Sequence, residues 1–436
     1  MTAPDPLSPI PNHGLEAERK PKMARAIAFL RDGKWLTLGR ARAYATIMIG
    51  ISVATIGWAL SGPGLDDPAG RPVGTDFVSF WTVSWALLNG HLNAIYDPTA
   101  LAALEQTVAP RSAAAFYAWQ YPPIALLIVY PLALLPYLCA LGVWLVAGAC
   151  CYLSAIWRIF PRPLALWIAL GFPAVLLTIT HGQNAFLSAG LLAWGLLLLP
   201  DRPIAAGILV GVLSFKPQLA VLVPIAFVAG GYWRALIAVS LTVLALSAAT
   251  ILFFGIDIWR DFLASTEFAQ QMLDTGSVSY FKLQSVFSAI RLAGGNLMLA
   301  YAGQGIAAVA AAIVVARVWR SPSDSDTKAI ALLAAIPLAT PFLLDYDLML
   351  LAPAIALMVR KQSREGALPW EATVLVAAAA LPLLARPVAE YTGLALAPLT
   401  ATALLAVVAV RCWRSLRRDD WQTDAGALPA GFPRKP

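Results

Sequence analysis

Apolar residues fall in long blocks separated by short polar breaks, from about residue 43 to residue 411. Blocks of this kind predict membrane-spanning helices at roughly 43–62, 138–157, 163–180, 185–200, 203–215, 218–230, 235–254, 296–316, 328–344, 348–359, 369–385 and 392–410. Several are short for a hydrocarbon core of ~30 Å, a length tolerated where neighbouring helices shield the segment. The run 124–135 is too short to cross alone and predicts a re-entrant or interfacial helix broken at Pro136. Alternating strands of barrel type are absent, so the predicted fold class is an all-α polytopic membrane protein of about twelve helices.

The polar breaks divide the chain further. Residues 1–22, rich in proline and charge, read as a disordered start, and 23–42 as a basic amphipathic helix on the inner leaflet or a solvated basic tail. Together 1–42 form a cytoplasmic tail, 43–411 the membrane domain and 412–436 a second cytoplasmic tail. Two large loops, 63–121 and 255–295, lie on the other side. Within the first, 77–90 and 98–108 carry helical spacing and predict short helices along the membrane surface.

Charge fixes the expected orientation. Eight Lys and Arg lie between Arg19 and Arg42, whereas the first loop sets Arg71 and Arg111 against Asp66, Asp67, Asp76, Asp97 and Glu105. The positive-inside rule then puts both termini in the cytoplasm. Of 31 Lys and Arg, only Arg71, Arg111, Lys216, Arg260, Lys282, Arg291 and Arg386 fall outside. Basic anchors in short loops explain the net charge of +7 without nucleic acid. The four cysteines sit in or beside apolar blocks without metal-ligand spacing and read as small packing residues.

The same orientation collects the unusual polar residues at one face. Asp76 stands among aromatics, including Trp81, just outside the first block. His181-Gly182-Gln183-Asn184, Lys216-Pro217-Gln218, Lys282-Leu283-Gln284-Ser285, Asp345-Tyr346-Asp347 and Arg386 share its side, and Tyr121-Pro122-Pro123 closes the loop. A carboxylate beside hydrocarbon is costly and usually functional. These residues suit glycosyl transfer from a lipid-linked phosphate sugar. Asp76 would take the acceptor's proton, and Lys216, Lys282 and Arg386 would meet the departing phosphate. A phosphate leaves as a stable anion, so one carboxylate suffices, unlike the pair that glycoside hydrolysis needs.

Other assignments are open for several of these residues. Asp76 can instead cap the helix after it. Lys216 can snorkel. Gln183 and Asn184 serve equally as helix-end caps or substrate contacts, and His181 as an interfacial hydrogen-bonding group. Asp345 and Asp347 have metal-pair spacing, but a structural role is expected, with no metal and no cofactor.

The segments Asp76-Phe77-Val78-Ser79-Phe80-Trp81, Leu88-Asn89-Gly90, Ile95-Tyr96-Asp97-Pro98, Phe116 to Tyr121-Pro122-Pro123, Gly182-Gln183-Asn184, Ala206 to Gly211, Phe215-Lys216-Pro217-Gln218 and Thr340 to Asp347 resemble glycosyltransferase family 87. The resemblance runs over roughly 43–360. It implies a GT-C bundle and an inverting mannosyltransferase that uses polyprenyl-phosphate mannose at the extracytoplasmic face, with Asp76 as the family's base. The acceptor would be a lipid-linked or other glycan. The family's usual tyrosine before the loop helix is replaced nearby by Trp81. A transporter, or a flippase or polymerase of lipid-linked glycans, is the competing reading, although a transporter would place its ionisable groups at mid-membrane.

Overall fold

The computed structural model describes residues 22–108 and 116–426; the expected disordered start, residues 1–21, and Arg111 lie outside them. Among the described residues the only extended pairings are isolated bridges, Asp66 with Pro72 and Leu283 with Leu344. The remainder is helix and turn. The chain begins with α1 (Lys22–Asp32) and α2 (Leu38–Ala59), then α3 (Phe77–Leu88), α4 (Pro98–Val108) and α5 (Ile124–Val129). It continues through α6 (Tyr137–Ile159), α7 (Pro163–Leu170), α8 (Pro173–His181), α9 (Ala185–Leu198), α10 (Pro203–Val212) and α11 (Val223–Ala229). Next come α12 (Trp233–Phe254), α13 (Asp257–Thr275), α14 (Val286–Leu292) and α15 (Leu297–Arg320). The last four are α16 (Ser325–Ala339), α17 (Leu351–Glu365), α18 (Glu371–Thr392) and α19 (Ala397–Gly426).

Six of these helices (α2, α6, α12, α15, α18 and α19) are long and apolar enough to cross a membrane, and a seventh span results if α7 and α8, bent by 58°, count as one. The twelve expected spans therefore divide into these and shorter pieces. Pro163, Pro173 and Pro203 each open a helix at its first turn, where a missing N–H costs nothing. α9 has 14 residues and rises only about 21 Å. It survives because Ala185 to Leu196 are buried at nearly every position among neighbouring helices. Lipid-facing surface lies on the long helices. Ile237, Leu241 and Leu244 of α12 recur at helical spacing and are 58–64% exposed.

Three expectations change. The predicted surface helix at 77–90 is α3, and Phe77, Phe80 and Val83 are at most 1% exposed, so it is a core element. The uninterrupted apolarity of its sequence, not amphipathic spacing, was the relevant signal. The basic helix expected over 23–42 splits at Gly33 (φ +64°) into α1 and the start of α2. Cys139 and Cys150, expected to pack, point outward from α6, while Cys412 is buried. The short run 124–135 is broken at Pro136, as expected. α5 and a 3-10 turn at Leu132–Leu134 precede Pro136, and α6 starts afresh after it.

Small residues set the closest helix contacts. A Cβ on Gly207 of α10 would lie 2.3 Å from the Ala235 carbonyl oxygen of α12, so only glycine permits this approach. At one end of the bundle, Lys361 joins Asp324 and Glu365, and Arg411 joins Glu365 and Glu371. Arg360 pairs with Asp326 nearby. This network ties α16, α17, α18 and α19 together, and α1 docks on it where Trp370 N–H reaches the Arg31 carbonyl at 2.8 Å. The polar residues collected from the sequence gather elsewhere, around α3, α8, the start of α9 and the 3-10 turn Asp345–Leu350.

Candidate active site

Asp76 ends the turn Gly74-Thr75-Asp76 and occupies the residue before α3. Its side chain makes no capping bond, so it does not do the work of a helix cap. The turn is held from two sides. Tyr137 donates its hydroxyl to the Val73 carbonyl at 2.9 Å, and Phe77 packs edge-on against the Tyr137 ring at 5.3 Å. One turn further on, Phe80 sits among Trp119, Tyr121 and Trp144 at centroid distances of 5.4–5.7 Å. Edge-to-face pairs of this sort each add about 0.5–1.5 kcal/mol beyond area burial.

The partner of Asp76 comes from the turn between α8 and α9. Gly182 closes α8 in the left-handed region (φ +62°), and a Cβ there would lie 2.5 Å from that of Phe77. Both demands exclude any other residue. Trp144 fixes the turn by donating its indole N–H to the Gly182 carbonyl at 3.1 Å. The next residue, Gln183, then reaches Asp76, with Nε2 donating to Oδ2 at 2.8 Å. Tyr121 donates its hydroxyl to Gln183 Oε1 at 3.1 Å. Tyr121 is in turn seated by Tyr96, whose hydroxyl donates to the Tyr121 carbonyl at 2.8 Å.

Asn184 continues the chain of contacts. Lys216 donates to Asn184 Oδ1 at 3.1 Å and to Asp347 Oδ1 at 2.5 Å, and its ammonium lies 5.0 Å from the Tyr346 ring centre. Asp347 also accepts from the Leu344 N–H at 3.3 Å. The lysine and the aspartate are buried, so the pair is a charge-neutral unit beneath the turn.

A second cationic corner lies beside it. Arg386 of α18 is 3.7 Å from Asp345 Oδ2 and 5.9 Å over the Phe281 ring, which places it against the 3-10 turn Tyr280–Lys282. His181 stacks at 5.8 Å on Tyr346. Its Nδ1 is 2.9 Å from the Leu177 carbonyl. A carbonyl only accepts, so Nδ1 carries the proton and Nε2 is left for another partner. Asp345 Oδ1 accepts from the Tyr346 N–H at 2.9 Å, while Asp345 Oδ2 and Gln284 Oε1 are buried without hydrogen bonds. Asp345 and Asp347, expected as a structural rather than metal pair, turn to different cations.

Burial sorts the predicted residues into two groups. Gln183, Asn184, Lys216, Gln284, Asp345 and Asp347 are buried, whereas Asp76, Trp81, Tyr121, His181, Lys282 and Arg386 are half-buried. Trp81 has its indole N–H engaged with the Leu135 carbonyl at 3.1 Å. Gln183 and Asn184 thus join Asp76, Tyr121 and Lys216, while Arg386 stands at Asp345 and His181 against Tyr346; Lys282 ends the turn whose Phe281 meets Arg386, and Trp81 turns to Leu135. Sequence reasoning missed Trp144, Tyr137 and Tyr346. The first two are aromatics inside an apolar helix and carry no local signal. Tyr346 was legible only as the residue between two predicted aspartates.

One further carboxylate stands close by. Glu105 of α4 accepts from the Tyr117 N–H at 3.0 Å through Oε2, while Oε1 is buried without a partner. Burial, with a smaller contribution from the negative charge of Asp76, pushes the Glu105 carboxyl up to about 8.

The fold and this site define a helical membrane protein whose acid, amide and cationic side chains meet at one place in the bundle. The family model of glycosyltransferase family 87 matches residues 119–344, more than half of the 436 residues. The chain belongs to that family and is a membrane glycosyltransferase. The match covers Tyr121, His181, Gln183, Asn184, Lys216, Lys282 and Gln284; Asp76, Asp345, Asp347 and Arg386 lie outside it. No curated protein and no solved structure matches the chain.

Proposed function

We propose that the protein transfers a sugar, mannose by family resemblance, from a polyprenyl-phosphate donor to a hydroxyl of a lipid-linked or glycan acceptor at the extracytoplasmic face. The observation that carries this reading is the bond of Asp76 to Gln183 in the 181–184 turn, whose Asn184 in turn holds Lys216. Among the described residues Asp76 Oδ1 has the Thr75 hydroxyl at 3.5 Å alone, while Arg386 stands at Asp345 and His181 against Tyr346. Asp76 takes the proton as the acceptor oxygen bonds to the anomeric carbon. The bond from that carbon to phosphate breaks, and polyprenyl phosphate leaves with the electron pair. With base and leaving group on opposite sides of the sugar, the displacement inverts the anomeric centre.

We assign Arg386, Lys282 and His181 to meet that phosphate. Lys216, expected from sequence to do so, is buried and already bonded to Asp347 and Asn184, so we assign it to holding the turn. Gln284 Oε1, which has no hydrogen bond, and Asp345 Oδ2, which has the Arg386 guanidinium at 3.7 Å and no hydrogen bond, suit sugar hydroxyls, which supply donors.

The test is transfer from polyprenyl-phosphate mannose to a panel of lipid and glycan acceptors in membranes, with wild type and Asp76→Asn. Loss of transfer with normal folding and donor binding is expected of the variant, and near-normal turnover would remove the base assignment. Sidedness is checked with a C-terminal tag, which protease should reach in inside-out vesicles and not in intact cells.

A further inference from the structure

The amide of Gln183 has one acceptor and one donor end, and its surroundings dictate which faces where. Oε1 receives two donors, the Tyr121 hydroxyl at 3.1 Å and the Asn184 N–H at 3.3 Å. A flipped amide would set N–H against the Asn184 N–H and an oxygen against the Asp76 carboxylate. The observed orientation is the one these donors permit. Nε2 therefore faces Asp76 Oδ2, at 2.8 Å. Among the described residues, the other carboxylate oxygen, Oδ1, has only the Thr75 hydroxyl at 3.5 Å.

We propose that Gln183 is the positioning residue of the reaction: it occupies Oδ2 of Asp76 with a neutral donor, leaving Oδ1 as the oxygen that takes the acceptor's proton, while Tyr121 and the Asn184 N–H lock the amide against flipping. The inference rests on the reading of Asp76 as base. A neutral donor fixes the direction of the carboxylate without adding a charge that would compete for the phosphate. Tyr121 is suited to its part, since burial holds its phenol well above its ordinary range and keeps it protonated.

Titratable groups that feel the charge of Asp76 include Glu105 of α4, Tyr117 and Tyr121 before α5, Tyr137 of α6, and Tyr346. Burial pushes the Glu105 carboxyl up to about 8, so pH profiles are read in both the wild-type and the Glu105→Gln background. Gln183→Glu replaces the amide by a carboxyl of the same shape. Two carboxylates at hydrogen-bond distance cannot both ionise freely, so the acid limb of kcat/KM should move up by about one pH unit or more. Tyr121→Phe removes one of the two locks. Its kcat should fall about fivefold, the worth of one hydrogen bond, with the donor KM unchanged.

A role confined to pinning the turn would lower thermal stability in both variants and leave the acid limb where it is. An active Gln183→Glu with an unmoved acid limb overturns the proposal. If Gln183→Glu does not fold, Tyr121→Phe decides, and unchanged kcat in that variant overturns it. Asp76→Asn is measured in parallel. If that variant is active, the base assignment itself falls; if it is inactive while the other two behave as wild type, only the positioning role falls.

Discussion

Replacing Lys216 by Met removes one half of an ion pair whose side chains are 3% and 2% exposed and whose charged atoms are 2.5 Å apart. Asp347 would be left buried with the Leu344 N–H at 3.3 Å as its remaining bond, and Asn184 Oδ1 would lose its donor. Breaking a buried pair costs about 3–5 kcal/mol, and the orphaned amide oxygen adds about 1 kcal/mol. A single-variant loss of about 4–6 kcal/mol is therefore expected. Removing both charges in Lys216→Met/Asp347→Leu avoids the lone buried carboxylate, because apolar replacement of a whole buried pair is often neutral. The double variant should recover most of the loss, which gives a coupling of about 3 kcal/mol between the two positions. Equilibrium unfolding in mixed micelles measures all four members of the cycle. A single-variant loss below about 1 kcal/mol, or a double variant no better than the worse single one, refutes the reasoning. Transfer activity adds a second answer. A double variant that is stable and active fits a lysine that holds the turn, whereas a stable but inactive one returns Lys216 to the phosphate.

Arg386→Gln should lower kcat/KM for the lipid-linked donor about tenfold to a hundredfold, the loss of one charge-assisted contact; initial rates against donor concentration decide, and an unchanged ratio removes Arg386 from the phosphate site. Glu105 gives a pH prediction. Its folded value of about 8 lies above the reference 4.5, so the native state binds the proton more tightly. Its stability contribution is complete below about pH 4.5, falls as pH rises, and is lost by about pH 8, by at most about 5 kcal/mol. Glu105→Gln should flatten that part of the stability profile and be the more stable protein at pH 8, as thermal midpoints across the range will show; parallel profiles contradict the burial argument.

The long apolar blocks were legible because lipid leaves few options. Every backbone polar group must be paired within the segment, so composition alone reports a spanning helix. Segment lengths were less legible. α7 and α8 were read as one span, and the bend between them depends on the packing of the Gly171-Phe172 junction. Asp76, Gln183 and Lys216 were each found from sequence as polar residues misplaced among apolar ones. Their mutual roles were not, because the bonds that define them join positions 107, 32 and 131 residues apart.

Sequence by itself determined that this chain is a helical membrane protein and which of its few polar residues cluster near block ends. The tertiary structure decided which of them are open and which are consumed by one another. Lys216 and Arg386 look alike as lone cations in an apolar sequence, yet one is buried against Asp347 and the other stands half-exposed beside Asp345. The physical reason is that a charge in a low-dielectric interior takes its character from its nearest opposite charge. That neighbour is chosen by the packing of distant helices around turns such as Gly182, not by anything adjacent in the chain.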